Sequence, residues 1–274
     1  MNQKYKLPTE VHGVDFSGAK DAGKRIWITS ASISKAGIRV DKVFPAEELP
    51  GGSSKLIDAL GALREWIAGV NGIVGMDFPF GLPYQLVRGY GSWKMFLKDF
   101  PLRHASPVSF RRSCRSQSDG TELKRETDRL ASTPFSPYNL RMYRQTYYGI
   151  REVLEPLVDS GKARVLPLQE PEAGKPWLLE ICPASTLKRI GNYSPYKGPE
   201  ERHRISRRAI LNQIIASAPI SLSSADRKLY ESHAGGDALD SLLCCFTAFD
   251  LIRNRTPLMP DLSARQKLEA WVYV

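Results

Sequence analysis

Two stretches, Val11-His-Gly-Val-Asp-Phe-Ser-Gly-Ala-Lys20 and Gly72-Ile-Val-Gly-Met-Asp-Phe-Pro-Phe-Gly-Leu-Pro83, decide how this chain folds. Each is a short apolar run that ends on an aspartate, Asp15 or Asp77, and passes into Phe, Ser, Pro and Gly. Both read as strands that stop at a carboxylate. Because rigid strands hold reactive groups on the loops that follow them, two such aspartates can meet at one edge of a sheet.

Between the two strands, Arg25 to Ile33 is β-rich and partly alternating, and Ile38 to Phe44 is a third strand. The turn Lys35-Ala-Gly37 joins them as an antiparallel hairpin. A helix begins at Ser54, with Leu56, Leu60, Leu63 and Ile67 on one face and Gly69 as its stop. From Pro83 to about Pro137 the chain is rich in Gly, Ser, Pro, Arg and Lys and reads as an inserted loop region. A helix is expected over Tyr138 to Val158, its face formed by Leu140, Tyr143, Tyr147, Ile150, Leu154 and Leu157. Pro176 to Pro183 is a further strand, and a helix runs from Pro199 towards Ala216. The last helix opens at Gly235-Gly-Asp237 and carries Leu239, Leu242, Leu243, Phe246 and Phe249. With no internal repeat, this is an α/β chain forming one domain over residues 1–274, with an inserted loop and helical region at 84–175.

A net charge of +10 favours a polyanionic partner, nucleic acid being the commonest. The opening Met-Asn-Gln-Lys-Tyr-Lys-Leu-Pro lacks the apolar core of a secretory signal, and no run of ~20 apolar residues occurs. The expectation is a cytoplasmic protein with no membrane partner; the oligomeric state is open. Cys114, Cys182, Cys244 and Cys245 show no C-x-x-C spacing and read as reduced, packing thiols.

The remaining acids sharpen the picture. Asp237 and Asp240, three apart on a helix, share one face and can reach one cation. They can equally be an N-cap and a first-turn acid favoured by the helix dipole. Asp15 can be a turn residue and Asp77 a strand terminator; their joint placement favours a site. Glu180, within an apolar strand, is either a site residue or the partner of an arginine, since an unpaired buried charge is costly. Arg111, Arg112, Arg115, Lys124 and Arg125 can hold a phosphate backbone or form a solvated loop. Tyr138, Tyr143 and Tyr147 follow a helix face and read as core; His233 reads as structural or exposed.

Gly13 to Lys20, Gly75 to Pro83, Pro134 to Arg141, Glu180 to Ala184, Gly236 to Ser241 and Glu269 to Tyr273 together resemble the domain-of-unknown-function family numbered 429. The resemblance spans nearly the whole chain, in order. It implies a ribonuclease H-like fold, a mixed five-stranded sheet in the order 3-2-1-4-5 flanked by helices, and a nuclease activity whose substrate is unsettled. Asp15 then takes the central position on the first strand, Asp77 the acid of the fourth, and Asp237 and Asp240 those of the last helix, an Asp-x-x-Asp pair similar to that of Holliday-junction resolvases. Glu180 lies where that superfamily places no ligand, and would orient substrate or a neighbouring group.

The function expected is hydrolysis of nucleic-acid phosphodiesters with Mg2+ or Mn2+. Asp15 bridges two ions about 3.5–4 Å apart, Asp77 and Asp240 each hold one, and Asp237 ligates or orients water. One alternative is a phosphotransferase of the actin-like or sugar-kinase type, with Lys20 and the amides after Asp15 cradling phosphates. Another is a catalytically silent nucleic-acid-binding module.

Overall fold

The computed structural model describes residues 7–254 and 256–274. Residues 1–6, on which the expectation about a leader rests, lie outside them. Among the described residues eight strands form one sheet: β1 (Glu10–Asp15), β2 (Trp27–Ser34), β3 (Gly37–Pro45), β4 (Ile73–Asp77), β5 (Arg164–Val165), β6 (Trp177–Ile181), β7 (Ile220–Ser221) and β8 (Val272–Tyr273). The helices on the front half are α1 (Ala22–Arg25), α2 (Leu56–Gly69), α3 (Tyr84–Val87), α4 (Trp93–Arg103), α5 (Pro107–Ser116) and α6 (Glu126–Leu130). They are followed by α7 (Tyr143–Tyr148), α8 (Glu155–Asp159), α9 (Pro183–Arg189), α10 (Glu201–Ser217), α11 (Ser224–Ser232), α12 (Asp237–Arg253) and α13 (Ala264–Glu269).

The sheet is mixed. β1 pairs antiparallel with β2 and parallel with β4, β2 pairs antiparallel with β3, and β4 pairs parallel with β6. The order β3-β2-β1-β4-β6 contains the five strands expected from the sequence in the expected sequence of neighbours, and short strands extend it. β7 joins β3, while β5 and β8 both join β6, so the five-stranded expectation is corrected to eight. Each added strand is two residues long, too short to leave a period in the sequence.

Apolar residues fill both faces. One core gathers Val14, Ile28, Leu60, Leu63, Met76 and Phe78 under α2 and the helices of the inserted region. The other gathers Val11, Ile73, Leu179, Ile210, Leu239 and Leu243 under α10 and α12. Burial on both faces accounts for the near-continuous apolar runs of β1, β4 and β6.

The inserted region departs from expectation. Residues 83–137 are not an irregular loop but carry α3 to α6. Ser92 caps α4 by accepting from the Met95 amide, and Trp93, Phe96, Leu97 and Phe100 bury one face at helical spacing. Ser106 and Ser109 form a capping box on α5, with Pro107 in its first turn. Regional composition hid four apolar positions with the correct period. The helix expected from Tyr138 begins instead at Tyr143, and its middle is a π-helical stretch, Gly149–Leu154, before α8. Leu140 precedes the helix and is exposed, whereas Tyr138 and Tyr147 are core.

Gly13 and Gly75 sit side by side in the parallel β1–β4 register. A Cβ on Gly13 would lie 1.9 Å from the Ser241 carbonyl oxygen and 2.3 Å from the Cys245 amide nitrogen. A Cβ on Gly75 would lie 2.8 Å from the Cys244 carbonyl oxygen. The two glycines thus form a flat seat on which the backbone of α12 rests. Thr29, opposite Gly13 on β2, fixes the helix there: its hydroxyl is 2.7 Å from the Ser241 hydroxyl and 2.9 Å from that of Tyr230. Gly13→Ala is expected to cost about 1–3 kcal/mol, because the obstructing atoms are backbone and cannot rotate away. Gly61, inside α2 with open space around it, is the control: Gly61→Ala should gain about 0.5–1 kcal/mol. Urea midpoints of the two variants would test the contrast.

Candidate active site

Two residues beyond the glycine seat, Asp15 and Asp77 end their strands as register partners. One turn before the seat, α12 begins with Asp237 and Asp240. The same close approach therefore carries all four acids to one cavity of about 680 Å³, which each of them lines. The signal for this in the sequence is the repeated Gly-x-Asp of Gly13-Val-Asp15 and Gly75-Met-Asp77. A strand side chain two residues on points to the same face as the missing one.

Helix α12 is capped by Gly236 in the left-handed conformation, at φ 78°, and Asp237 makes no capping hydrogen bond. The N-cap alternative for Asp237 therefore falls. Asp240 is 2% exposed and accepts a 2.6 Å hydrogen bond from the Tyr196 hydroxyl. The Lys197 ammonium lies 2.5 Å from Asp240 Oδ2 and 3.7 Å from Asp237 Oδ1. Tyr196 and Lys197 went unnoticed in the sequence, where a loop Tyr-Lys between Pro195 and Gly198 carries no period. Arg207 presents them: its buried guanidinium donates to the carbonyls of Tyr196, at 2.6 Å, and Gly198, at 3.0 Å. The basic stretch on α10 thus includes one arginine whose work is to hold this loop.

The acids repel each other out of water. Burial holds the Asp15 carboxyl well above the usual carboxylate range; Lys197 pulls it down, while Asp240, Asp237 and Asp77 push it up. Burial, and after it Asp240, pushes Asp77 up to about 8. Burial raises Asp240 too, against the opposing pull of Lys197 and Tyr196. Burial by itself would lower the Lys197 ammonium, but Asp240, Asp15 and Asp237 outweigh it and hold the group above its ordinary value. Such mutual perturbation of titratable groups in a cavity is a mark of functional sites.

The loops behind the acids are tied down. The Gln145 side-chain amide donates to the carbonyls of Phe16, at 2.7 Å, and Asp77, at 3.4 Å, clasping the two strand ends. Glu180, on β6, accepts from the Phe80 amide at 2.8 Å and so fixes the turn after Asp77. Its other partner is Arg125, which corrects two expectations. Arg125 is 1% exposed, and its five N–H donors are all taken: by both oxygens of Asp128, both of Glu180 and the Glu269 carbonyl. None remains for a phosphate. Glu180 is the arginine's partner, not a free substrate-binding acid. Glu269, in the C-terminal motif, accepts from the first amides of α3 and α6, at 2.7 and 2.6 Å.

The other basic residues named from the sequence stand elsewhere. Arg111 pairs with Glu122, Arg115 donates to the Gly120 carbonyl, Lys124 donates to the Thr133 carbonyl, and Arg112 is exposed; none of the four lines the cavity. Lys20 is exposed and also absent from the lining. His233 packs against Trp27, with ring centroids 4.7 Å apart. Of the basic residues named from the sequence only Arg125, its donors already spent, lines the cavity; the other cations there are Lys197, Arg25 and Arg141, which the sequence did not mark as site residues. All four cysteines are free, as expected, and no described helix is long and apolar enough to cross a membrane.

Among the described residues no group of three or more His, Cys, Asp and Glu side chains is placed to hold a metal ion. The expected carboxylate set is thus gathered at one cavity but, as the side chains stand, its cation is the Lys197 ammonium. The donor set still fits a hard divalent ion in kind: four carboxylates, two of them nearly fully buried, with the Lys197 ammonium paired to Asp240 and Asp237.

No family model matches the chain, and no curated protein matches it in sequence. Among solved structures it is similar to the yeast mitochondrial Holliday junction resolvase Ydc2, at 13% identity and a TM-score of 0.39, over 92% of this chain and 87% of that one.

Proposed function

We propose that the chain is a phosphodiester hydrolase acting on nucleic acid, with a ribonuclease H-like arrangement of its core strands. The observation that carries this reading is the convergence of Asp15, Asp77, Asp237 and Asp240, from two parallel strand ends and one helix start, on a single cavity beside Lys197, Arg25 and Arg141. Mg2+ or Mn2+, held by these carboxylates, would supply Lewis acidity to water and to the leaving oxygen. Lys197 is then the residue that must yield Asp240. Its ammonium, released but still in the cavity, is placed with Arg141 and Arg25 to meet a phosphate. Asp237, the least buried of the α12 pair, is the acid free to orient water. The phosphotransferase alternative loses its phosphate lysine, because Lys20 stays outside the cavity.

The test is cleavage of labelled single- and double-stranded DNA, RNA and hybrids with Mg2+, with Mn2+ and with EDTA. Metal-dependent cleavage of any of them supports the reading; intact substrates at high enzyme concentration would overturn it. A second measurement addresses Lys197. An ammonium among the carboxylates competes with any other cation, so Lys197→Ala should bind Mn2+ roughly tenfold more tightly in calorimetric titration. Unchanged affinity would show that Lys197 does not share that charge field.

A further inference from the structure

Of the aromatic residues that line the cavity beside its acids, Phe16, Phe78 and Tyr196 are buried, whereas Phe135 and Tyr193 keep part of their surface open. Tyr193 exposes 56% of its surface. Each ring has a cation over it: Arg141 Cζ is 5.4 Å from the centroid of Phe135, and Lys188 Nζ is 5.0 Å from that of Tyr193. The Lys188 ammonium also donates to the Ser132 carbonyl at 2.6 Å, which ties the loop bearing Phe135 to α9, five residues before Tyr193. The two rings thus belong to one braced wall. Aromatic faces set beside cations in an open groove are the elements on which unpaired bases stack.

The depth of the acids adds a constraint. Asp15 is 6% and Asp240 2% exposed, so a scissile phosphate meets these acids inside the cavity, within reach of its walls. A duplex keeps its bases turned inward against their partners and cannot lay one on the rings of that wall. A nucleotide freed from its stack can.

We infer that Phe135 and Tyr193 form a stacking subsite for an unpaired nucleobase beside the scissile phosphate, and that the substrate is single-stranded or locally unpaired nucleic acid. The inference rests on the phosphodiesterase reading of the same cavity. It gives Arg141 and Lys188 a joint role, as cations that support the rings and face the strand's phosphates.

The test uses the full chain carrying Asp15→Asn as a non-cleaving trap, and a short oligonucleotide with one 2-aminopurine, as single strand and as duplex, in DNA and RNA forms. The single strand should bind at least about tenfold more tightly than the duplex, with the 2-aminopurine fluorescence quenched. Tyr193→Ala and Phe135→Ala should each weaken single-strand binding about tenfold and remove the quench, while Tyr193→Phe, which keeps the ring, retains both. A strand that is abasic at the probe position should bind the trap as weakly as the normal strand binds Tyr193→Ala. Equal affinity for the duplex, or alanine variants that keep affinity and quench, would overturn the subsite. If such variants still leave metal-dependent cleavage in the Asp15 background, only the subsite fails; if no nucleic acid is bound or cut, both readings fall.

Discussion

On the proposed function, Asp15→Asn is expected to lower kcat/KM for a cleaved nucleic acid by at least about 100-fold and to leave the metal-free protein as stable as before, or more stable. The two effects have one cause. Asp15 is the carboxylate on which the other three converge, so the variant loses the central oxygen pair of the proposed site. The same carboxylate is buried among Asp240, Asp237 and Asp77, which push its proton affinity up. Its amide replacement carries no charge to desolvate or repel, so folding gains where catalysis loses. A purely structural Asp15 would show the opposite: activity falling only as far as stability falls. Activity assays beside urea melts separate the cases.

The pH dependence follows with a definite sign. Asp77 rises from an ordinary value of 3.8 to about 8 in the folded protein. Below about pH 4 both folded and unfolded chains hold this proton, and above about pH 8 both have lost it. Between those limits only the folded chain keeps it, so this group makes stability fall as pH rises from about 4 to about 8 and contributes no slope outside that window. Asp77→Asn should remove that part of the slope in melts recorded with a chelator. Identical slopes in variant and parent would show that Asp77 is not held neutral.

Arg125→Met is the second large effect, expected to cost about 3–5 kcal/mol. Burial by itself would lower the guanidinium's proton affinity, but Asp128 and Glu180 outweigh it and hold the charge firmly. Without Arg125, two buried carboxylates face each other with no counter-charge. The damage spreads towards the site, because Glu180 fixes the Phe80 amide after Asp77. Arg125→Lys should recover only a part, since an ammonium offers three donors where five are used. Denaturant midpoints of Arg125→Met, Glu180→Gln and the double variant form a cycle. Additive losses would show that the two side chains do not act as a unit.

Much of this site was legible locally. Asp15 and Asp77 close apolar runs, and a strand ending on a carboxylate before a turn is a pattern of adjacent residues. The opening of α12 was legible for the same reason: Gly235-Gly236 precede an apolar period, and Asp237 and Asp240 fall on one face by helical spacing alone. Helices α4 and α5 were missed: Ser92, Ser106 and the spacing of their apolar residues are equally local signals, but the average composition of residues 83–137 concealed them.

The arginines and lysines show where local reading stops. By sequence Arg125 and Arg115 are alike, two cations in one basic stretch. In the fold Arg125 is enclosed by Asp128, Glu180 and Glu269, the last two 55 and 144 residues away, and Arg115 stays near the surface. Lys197, in a loop without period, becomes the counter-charge of the acid cluster only because Arg207 holds that loop against the start of α12.

The sequence by itself determined the ends of β1 and β4, the hairpin, the start of α12 and the acids they carry, since these depend on backbone preference and on period within a few residues. Only the tertiary structure decided which charges are spent on one another and which face the cavity. That choice depends on desolvation and on distances between residues far apart in the chain: a cation in water and a cation in a buried ion pair have the same letter.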